Sequence, residues 1–124
     1  SDGFDMVYAD EEFSLIVNAD DVLGIDEAAI PEVFALHQNY PNPFNPITKI
    51  KYDLPENSIV NLVIYDIRGR QVQTIFSNRY QEAGYRHVVW NGLDKYGKPV
   101  PSGMYFYRIS AADFNSTRKM ILLK

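Results

Sequence analysis

Histidine, cysteine and carboxylate side chains are common catalytic groups. Their number and spacing in this chain argue against an enzyme. The chain has 124 residues with two histidines and no cysteine, which excludes a thiol nucleophile, a thiolate metal site and a disulfide framework. His37 and His87 lack the serine and aspartate spacing of a catalytic triad, and two histidines alone cannot complete a tetrahedral zinc site. We therefore expect a domain that is not an enzyme, has no cofactor and uses His87 as a surface or structural residue.

Carboxylates are concentrated at one end of the chain. Residues 1–32 contain ten acidic residues and no lysine or arginine, whereas residues 33–124 contain six acidic residues and all twelve bases. A shift of this size predicts a boundary between an acidic leader (1–32) and a basic domain (33–124). Oxygen ligands for calcium could come from Asp20, Asp21, Asp26 and Glu27, but the EF-hand spacing with its central glycine is absent. A simply solvated linker is the alternative.

An aromatic and basic run, YFYR at residues 105–108, has the composition of a stacking surface. On a strand, Tyr105 and Tyr107 share one face while Phe106 and Arg108 share the other, and one of those faces must be core. The twelve bases are spread along residues 33–124 and do not establish the clustered surface that nucleic acid requires. We expect no nucleic-acid partner, and carbohydrate stacking on an exposed aromatic pair stays open.

Short β-strands are the elements expected to position these side chains. The composition, with 46% hydrophobic and 14% aromatic residues, 7 glycines and 7 prolines, favours a β-rich domain over a helical bundle. Several strands carry apolar residues at both odd and even positions, so the sequence does not decide which face of these strands is buried. Six or seven short strands with close turns are typical of an antiparallel β-sandwich. The predicted strands are residues 33–36, 48–53, 58–65, 71–76, 85–90, 104–111 and 116–123.

Turn-forming residues separate these strands. Gly69 can adopt positive φ in a tight reversal, where Asp66 is interpreted as a turn residue paired with Arg68 or Arg70. The last hairpin is predicted to turn at residues 113–115.

Two longer loops carry more information than the strands do. Three prolines make residues 39–46 a rigid, non-helical segment, with Tyr40 and Phe44 available to pack beneath it. Residues 90–103 contain three glycines and two prolines and are predicted to form a long structured turn. Trp90, at the start of that turn, is expected in the core.

The acidic leader contains one further strand pattern. Alternating apolar residues predict a strand at residues 11–18. Its sequence EFSLIVN resembles the last strand of cadherin-like or immunoglobulin-like repeats in bacterial surface proteins. A lone strand must pair with the following domain, another chain or an upstream domain. Because the leader is acidic and the domain basic, an arm-exchanged homodimer is one expectation.

Four blocks of sequence follow one another in the order and at the spacing of a known family. Together they resemble the C-terminal sorting domain of the type IX secretion system, type A, which is similar to the immunoglobulin-like domain of the flagellar hook-capping protein. The resemblance covers residues 36–124. The sequence departs from the family pattern at Asn91, where family members commonly have an aspartate. Both residue types form turns, so the departure changes little. The blocks are LHQNYPNPFNP (36–46), VIYDIRGR (63–70), WNG (90–92) with GKPVPSGMYFYR (97–108), and RKMILLK (118–124).

The resemblance implies a seven-stranded immunoglobulin-like sandwich at the C-terminus of a large secreted enzyme or adhesin of the Bacteroidetes or related phyla. It further implies folding in the periplasm, recognition by the outer-membrane translocon, and removal by a sortase-like peptidase, with the cargo reaching the outer-membrane surface or the medium. The leader would then be the cargo's last strand plus the linker that is cleaved. The full-length parent could be an enzyme such as a hydrolase.

The resemblance also marks individual positions as candidate sorting residues. They fall in three motifs, and the last strand with its terminal lysines is expected to offer backbone groups for affinity and side chains for specificity. The residues are Gly69, Arg70, Gly103, Tyr105, Lys119, Met120 and Lys124.

A different class of function is the alternative. The sandwich could be a structural or adhesive spacer, or a carbohydrate-binding accessory module, that supports a neighbouring domain of a surface protein. The position of the last block at Lys124, where the family also ends, favours the targeting domain, since a spacer has no reason to be last.

Overall fold

Alternating burial along the chain produces a sandwich of two antiparallel sheets. The computed structural model of the protein describes residues 29–124, which contain seven strands and no helix. One sheet has the order β1-β2-β5 and the other β4-β3-β6-β7. The predicted seven-stranded antiparallel β-sandwich is confirmed. The strands are β1 (Ala35–Leu36), β2 (Thr48–Leu54), β3 (Ser58–Tyr65), β4 (Gln71–Gln81), β5 (Gly84–Trp90), β6 (Gly103–Ala111) and β7 (Phe114–Leu122).

The buried face of β3, which the sequence leaves open, is decided by packing. Leu62 and Ile64 are fully buried, whereas Val63 and Tyr65 are half-buried on the outer face. Strand β2 follows the same period of two, with Ile50 buried between exposed lysines. Burying one apolar face of each sheet supplies the main free energy of folding.

Trp90 is the centre of the aromatic part of the core, as predicted. Its side chain is buried, and its ring centroid lies 5.8 Å from the centroids of both Phe44 and Tyr105. The indole Nε1 donates a 2.9 Å hydrogen bond to the carbonyl of Leu93, so the polar atom of the indole is satisfied as well. The prediction that Tyr40 also packs inward is wrong, because its side chain is 80% exposed.

Every strand except β3 differs from its predicted bounds by at least one residue, and two of the differences have a clear structural cause. Strand β4 continues to Gln81, five residues beyond the predicted end, because it is an edge strand whose polar residues face solvent and still pair with β3. The last hairpin turns at Ala112 and Asp113, not at residues 113–115, since Ala111 pairs with Phe114 and Ala112 adopts a φ of 51°.

Three expectations concern residues outside those that the structure describes. They are the strand at residues 11–18, the calcium ligands in the leader and the exchange of that strand between two copies. The domain division at residues 32 and 33 also stays a prediction. A solution mass equal to that of the monomer at high protein concentration would contradict the exchange.

A buried hydrogen-bond network joins the segment before β2 to strand β6. The hydroxyl of Tyr107 donates to the carbonyl of His37 at 2.6 Å and accepts the N–H of Asn39 at 2.8 Å. The Asn39 amide in turn donates to the hydroxyl of Thr48 at 2.9 Å, which donates to the carbonyl of Pro41. Burial raises the pKa of Tyr107 to about 12, so its hydroxyl keeps its proton at physiological pH.

Replacing Tyr107 by phenylalanine should destabilise the domain. The N–H of Asn39, a buried residue, would lose its partner, which costs about 1–3 kcal/mol in the free energy of unfolding. Urea denaturation measures the effect, with Tyr96→Phe as the matched control because Tyr96 is 76% exposed. Equal stability of the two variants would contradict this account of the network.

Candidate functional site

The first candidate motif forms a closed loop between β3 and β4. In residues 66–70 (DIRGR), the N–H of Gly69 donates to the carbonyl of Asp66 at 2.9 Å, and the N–H of Asp66 donates to the carbonyl of Arg70 at 3.0 Å. One carboxylate oxygen of Asp66 accepts the N–H groups of Arg68 and Arg70, and the other accepts Nε of Arg70 at 3.0 Å. Asp66 is therefore a turn residue, as predicted, and is paired with Arg70.

A second loop repeats this arrangement in the β5–β6 connection. In residues 94–98 (DKYGK), the N–H of Gly97 donates to the carbonyl of Asp94 at 3.0 Å, and the N–H of Asp94 donates to the carbonyl of Lys98 at 2.8 Å. Oδ1 of Asp94 accepts the N–H groups of Tyr96 and Lys98. The φ angles of Gly69 and Gly97 are 83° and 80°. The predicted structured turn at residues 90–103 contains this loop, but its likeness to residues 66–70 was not predicted. The signal for it is the shared pattern D-x-x-G followed by a base.

The two loops lie side by side at one end of the sandwich. The N–H of Lys95 donates to the carbonyl of Val72 at 2.9 Å, and the Gln73 amide donates to the carbonyls of Leu93 and Asp94. Between the loops lies an open cleft of about 420 Å³. Its lining includes the two aspartates, two bases and an apolar floor: Asp66, Arg70, Asp94, Lys95, Val100 and Tyr105.

The electrostatics of the cleft follow from how each carboxylate is bonded. Desolvation opposes the ionisation of Asp66, but the N–H groups of Arg70 and Arg68 and the Arg70 guanidinium outweigh it and hold the pKa of Asp66 below its ordinary value of 3.8. Burial, together with the Asp66 charge, raises the pKa of Tyr105 above 10. Since the loops themselves supply the donors for Asp66 and Asp94, the charges left facing solvent are the bases.

The structure brings several of the predicted sorting residues to this end of the sandwich. Gly69 and Arg70 lie in the first loop, and Gly103 begins strand β6. Tyr105 is buried beneath the cleft, where its hydroxyl donates to the carbonyl of Pro101 at 2.6 Å. The N–H of Lys124 donates to the Ser102 hydroxyl at 3.1 Å, which places the last residue next to the wall of the cleft.

The remaining two positions lie on β7 and differ in accessibility. Lys119 is exposed and opposite Phe106, whereas Met120 is fully buried and opposite Tyr105. In the folded domain, Met120 therefore contributes to the core and offers no contact to a partner.

From residue 119 to residue 123, the outer edge of β7 does not offer the free backbone groups that we expected. The carbonyl of Ile121 accepts the N–H of Phe44, the N–H of Leu123 donates back to the carbonyl of Phe44, and the Gln38 amide donates to the carbonyl of Lys119. The N–H of Ile121 is bonded to the Asn42 side chain. From residue 119 to residue 123 this edge is covered by the chain's own segment, so only side chains can be read there.

Both histidines lie at the surface of the domain. His87 is exposed on β5, and Nε2 of His37 is hydrogen-bonded to a carboxylate oxygen of Asp53 at 2.9 Å on the surface. Within residues 29–124, no three histidine or carboxylate side chains come together in a way that could hold a metal ion. The part of the chain that the structure describes also has no helix long and apolar enough to cross a membrane.

The aromatic run does not form a stacking platform. Tyr105 and Tyr107 face the core, and Phe106 is half-buried on the outer face beside exposed Arg108. The exposed aromatic pair on which carbohydrate stacking depended is absent from this strand.

Comparison with known proteins shows the family. The model described as the secretion system C-terminal sorting domain matches residues 38–123, and the chain belongs to this family. Such domains are sorting signals for type IX secretion, which exports its cargo to the cell surface or the medium, and the sorting domain itself is non-catalytic. No curated protein matches the chain significantly.

Two solved structures share the fold. Dimeric latent PorU from Porphyromonas gingivalis is 22% identical, with a TM-score of 0.59 over 82% of this chain and 10% of that one. PorZ of the same organism, an essential bacterial surface component of the type-IX secretion system, is 20% identical, with a TM-score of 0.50 over 73% of this chain and 11% of that one. The chain thus spans about a tenth of each of these proteins, and at these identities the likeness shows the fold alone.

Alanine at Gly69 and alanine at Gly97 should have nearly the same effect. Both glycines have left-handed φ, and a Cβ at either one would meet no atom within 4 Å, so each variant loses only backbone free energy of about 1 kcal/mol. Urea denaturation of the two variants measures it. A loss at one position alone would show that the loops are not equivalent.

The carboxylate of Asp66 should make stability depend on pH. Because the folded-state pKa of Asp66 lies below 3.8, ionised Asp66 stabilises the fold above that value, and this stabilisation disappears as the pH falls through the folded-state pKa. The Asp66→Asn variant keeps an acceptor oxygen without the charge. Its free energy of unfolding should fall less than that of the wild type between about pH 5 and pH 2, and parallel curves would contradict the assignment.

Proposed function

We propose that residues 33–124 act as a folded address label that the outer-membrane translocon of the type IX secretion system reads after the chain has crossed the periplasm. The family match over residues 38–123 carries this proposal. The closed sandwich supports recognition in the folded state, because residues far apart in sequence meet at one end of the domain.

In this proposal the label acts on other parts of the same protein. The cargo lies upstream in cis, and the acidic leader, residues 1–32, is the linker where a sortase-like peptidase cleaves. Any enzymatic activity of the full-length protein, such as hydrolysis, belongs to that cargo.

Recognition at the last strand is proposed to use side chains. The outer backbone edge of β7 from residue 119 to residue 123 is already hydrogen-bonded to residues 38–44. Exposed Lys119, Ile121, Leu123 and Lys124 remain available to a partner. They combine two positive charges with two aliphatic side chains, a composition suited to a protein surface with an acidic rim.

Charge reversal at the two lysines should block export. A reporter enzyme fused ahead of the chain is produced in a bacterium with a type IX secretion system, and the Lys119→Glu, Lys124→Glu variant should leave most of the reporter in the periplasm, measured by cell fractionation. These side chains are exposed, so the fold should survive, which a thermal melt verifies. Deleting residues 120–124 is less informative, because it removes the buried Met120 and Leu122.

A matched control separates recognition from net charge. The Lys49→Glu, Lys51→Glu variant makes the same change in charge at two exposed lysines of β2, on the other sheet, and should be exported normally. Normal export of the Lys119 and Lys124 variant would refute side-chain recognition at β7. Export of the reporter without residues 33–124 would refute the address label itself.

A further inference from the structure

The two loops at residues 66–70 and 94–98 have the same arrangement and together form one surface at the end of the sandwich. Each loop uses an aspartate to hold its own backbone N–H groups, a glycine with positive φ to turn, and a base directly after that glycine. The backbone carbonyl of Val72 and the side-chain amide of Gln73 hold the second loop against β4. The cleft between the loops is thus formed by rigid walls.

Exposed charged and apolar side chains occur together on the two loops. The two loops contain four exposed bases, whereas both aspartates accept backbone N–H groups of their own loop and Asp66 also pairs with Nε of Arg70. Beside the bases, Ile67 is 70% exposed and Tyr96 is 76% exposed, and the Nζ of Lys95 lies 5.4 Å from the centre of the Tyr96 ring. The bases are Arg68, Arg70, Lys95 and Lys98.

We propose that the cleft between the two loops is a docking site for an acidic segment of a protein of the export machinery, with Arg70 and Lys95 binding its carboxylates from opposite walls. This inference rests on the proposed function and adds the second loop and the chemistry of the partner. Tyrosine and arginine, both exposed on these loops, are enriched at protein–protein hot spots. That composition favours a protein segment over a purely polyanionic ligand such as a lipid headgroup.

Binding of a hexaglutamate peptide to the full-length chain tests the site without any export step. We expect NMR shift changes at the residues that line the cleft, weakened by salt. The Arg70→Gln, Lys95→Glu variant should bind the peptide at least about tenfold more weakly, while the Lys49→Glu, Lys51→Gln variant, with the same change in net charge, should bind normally. Shift changes centred on β2, or equal binding by both variants, would overturn the proposal.

The export assay then tests the biological role of the site. The Arg70→Gln, Lys95→Glu variant should reduce surface display of the reporter at least about tenfold, Lys95→Arg should keep it, and the β2 control should not change it. Because Arg70 also contacts Asp66, a Lys95→Glu variant with an unchanged thermal melt is measured in parallel. If the wild-type domain exports the reporter and both cleft variants do so equally well, the docking site is refuted while the address label stands.

The leader is the competing occupant, since it carries ten acidic residues and no base. Changing those ten residues to asparagine or glutamine distinguishes the two cases. Unchanged display after this neutralisation, combined with loss in the cleft variants, supports an external partner. The opposite result is that neutralising the leader reduces surface display as much as the cleft substitutions do, and that combining both sets of changes reduces it no further. This would show that the leader fills the cleft and would overturn the proposal.

Discussion

The pairing of residues 38–44 with strand β7 is the constraint on which the rest of the structure depends. Hydrogen bonds between Phe44 and both Ile121 and Leu123 close the edge of the four-stranded sheet, and the Tyr107 network anchors the same segment from inside. A covered edge cannot add a foreign strand. This pairing therefore protects residues 119–123 of the β7 edge from addition of a foreign strand and leaves only their side chains open to a partner.

The two D-x-x-G loops solve a related problem at the end of the sandwich. A tight turn leaves backbone N–H groups without partners, and in each loop one aspartate accepts two of them. Asp66 and Asp94 stabilise these N–H groups with a negative charge. Within residues 29–124, no hydrogen bond or salt bridge joins the side chain of Arg70 or Lys98 to another element. Loops built for stability thereby acquire a net positive surface.

The sequence predicts the sandwich well because period-two burial and turn residues are local signals. Strand β3 was predicted to the residue, and Asp66 was recognised as a turn residue. Three features depended on tertiary contacts and were not predictable. Strand β4 continues through polar residues because β3 pairs with them, Tyr40 points outward while Phe44 points inward, and the edge of β7 is covered by a segment that is distant in the chain.

Burial divides the candidate sorting residues into two physical groups. Met120 and Tyr105 are buried and opposite one another on β7 and β6, so they shape the end of the sandwich, whereas Arg70, Lys119 and Lys124 keep exposed charges. Arg70 and Lys124 come close to the same cleft only because β3, β6 and β7 pair in this order. A receptor that contacts them together must bind the folded domain, and a core substitution that unfolds it removes the signal without touching a contact residue.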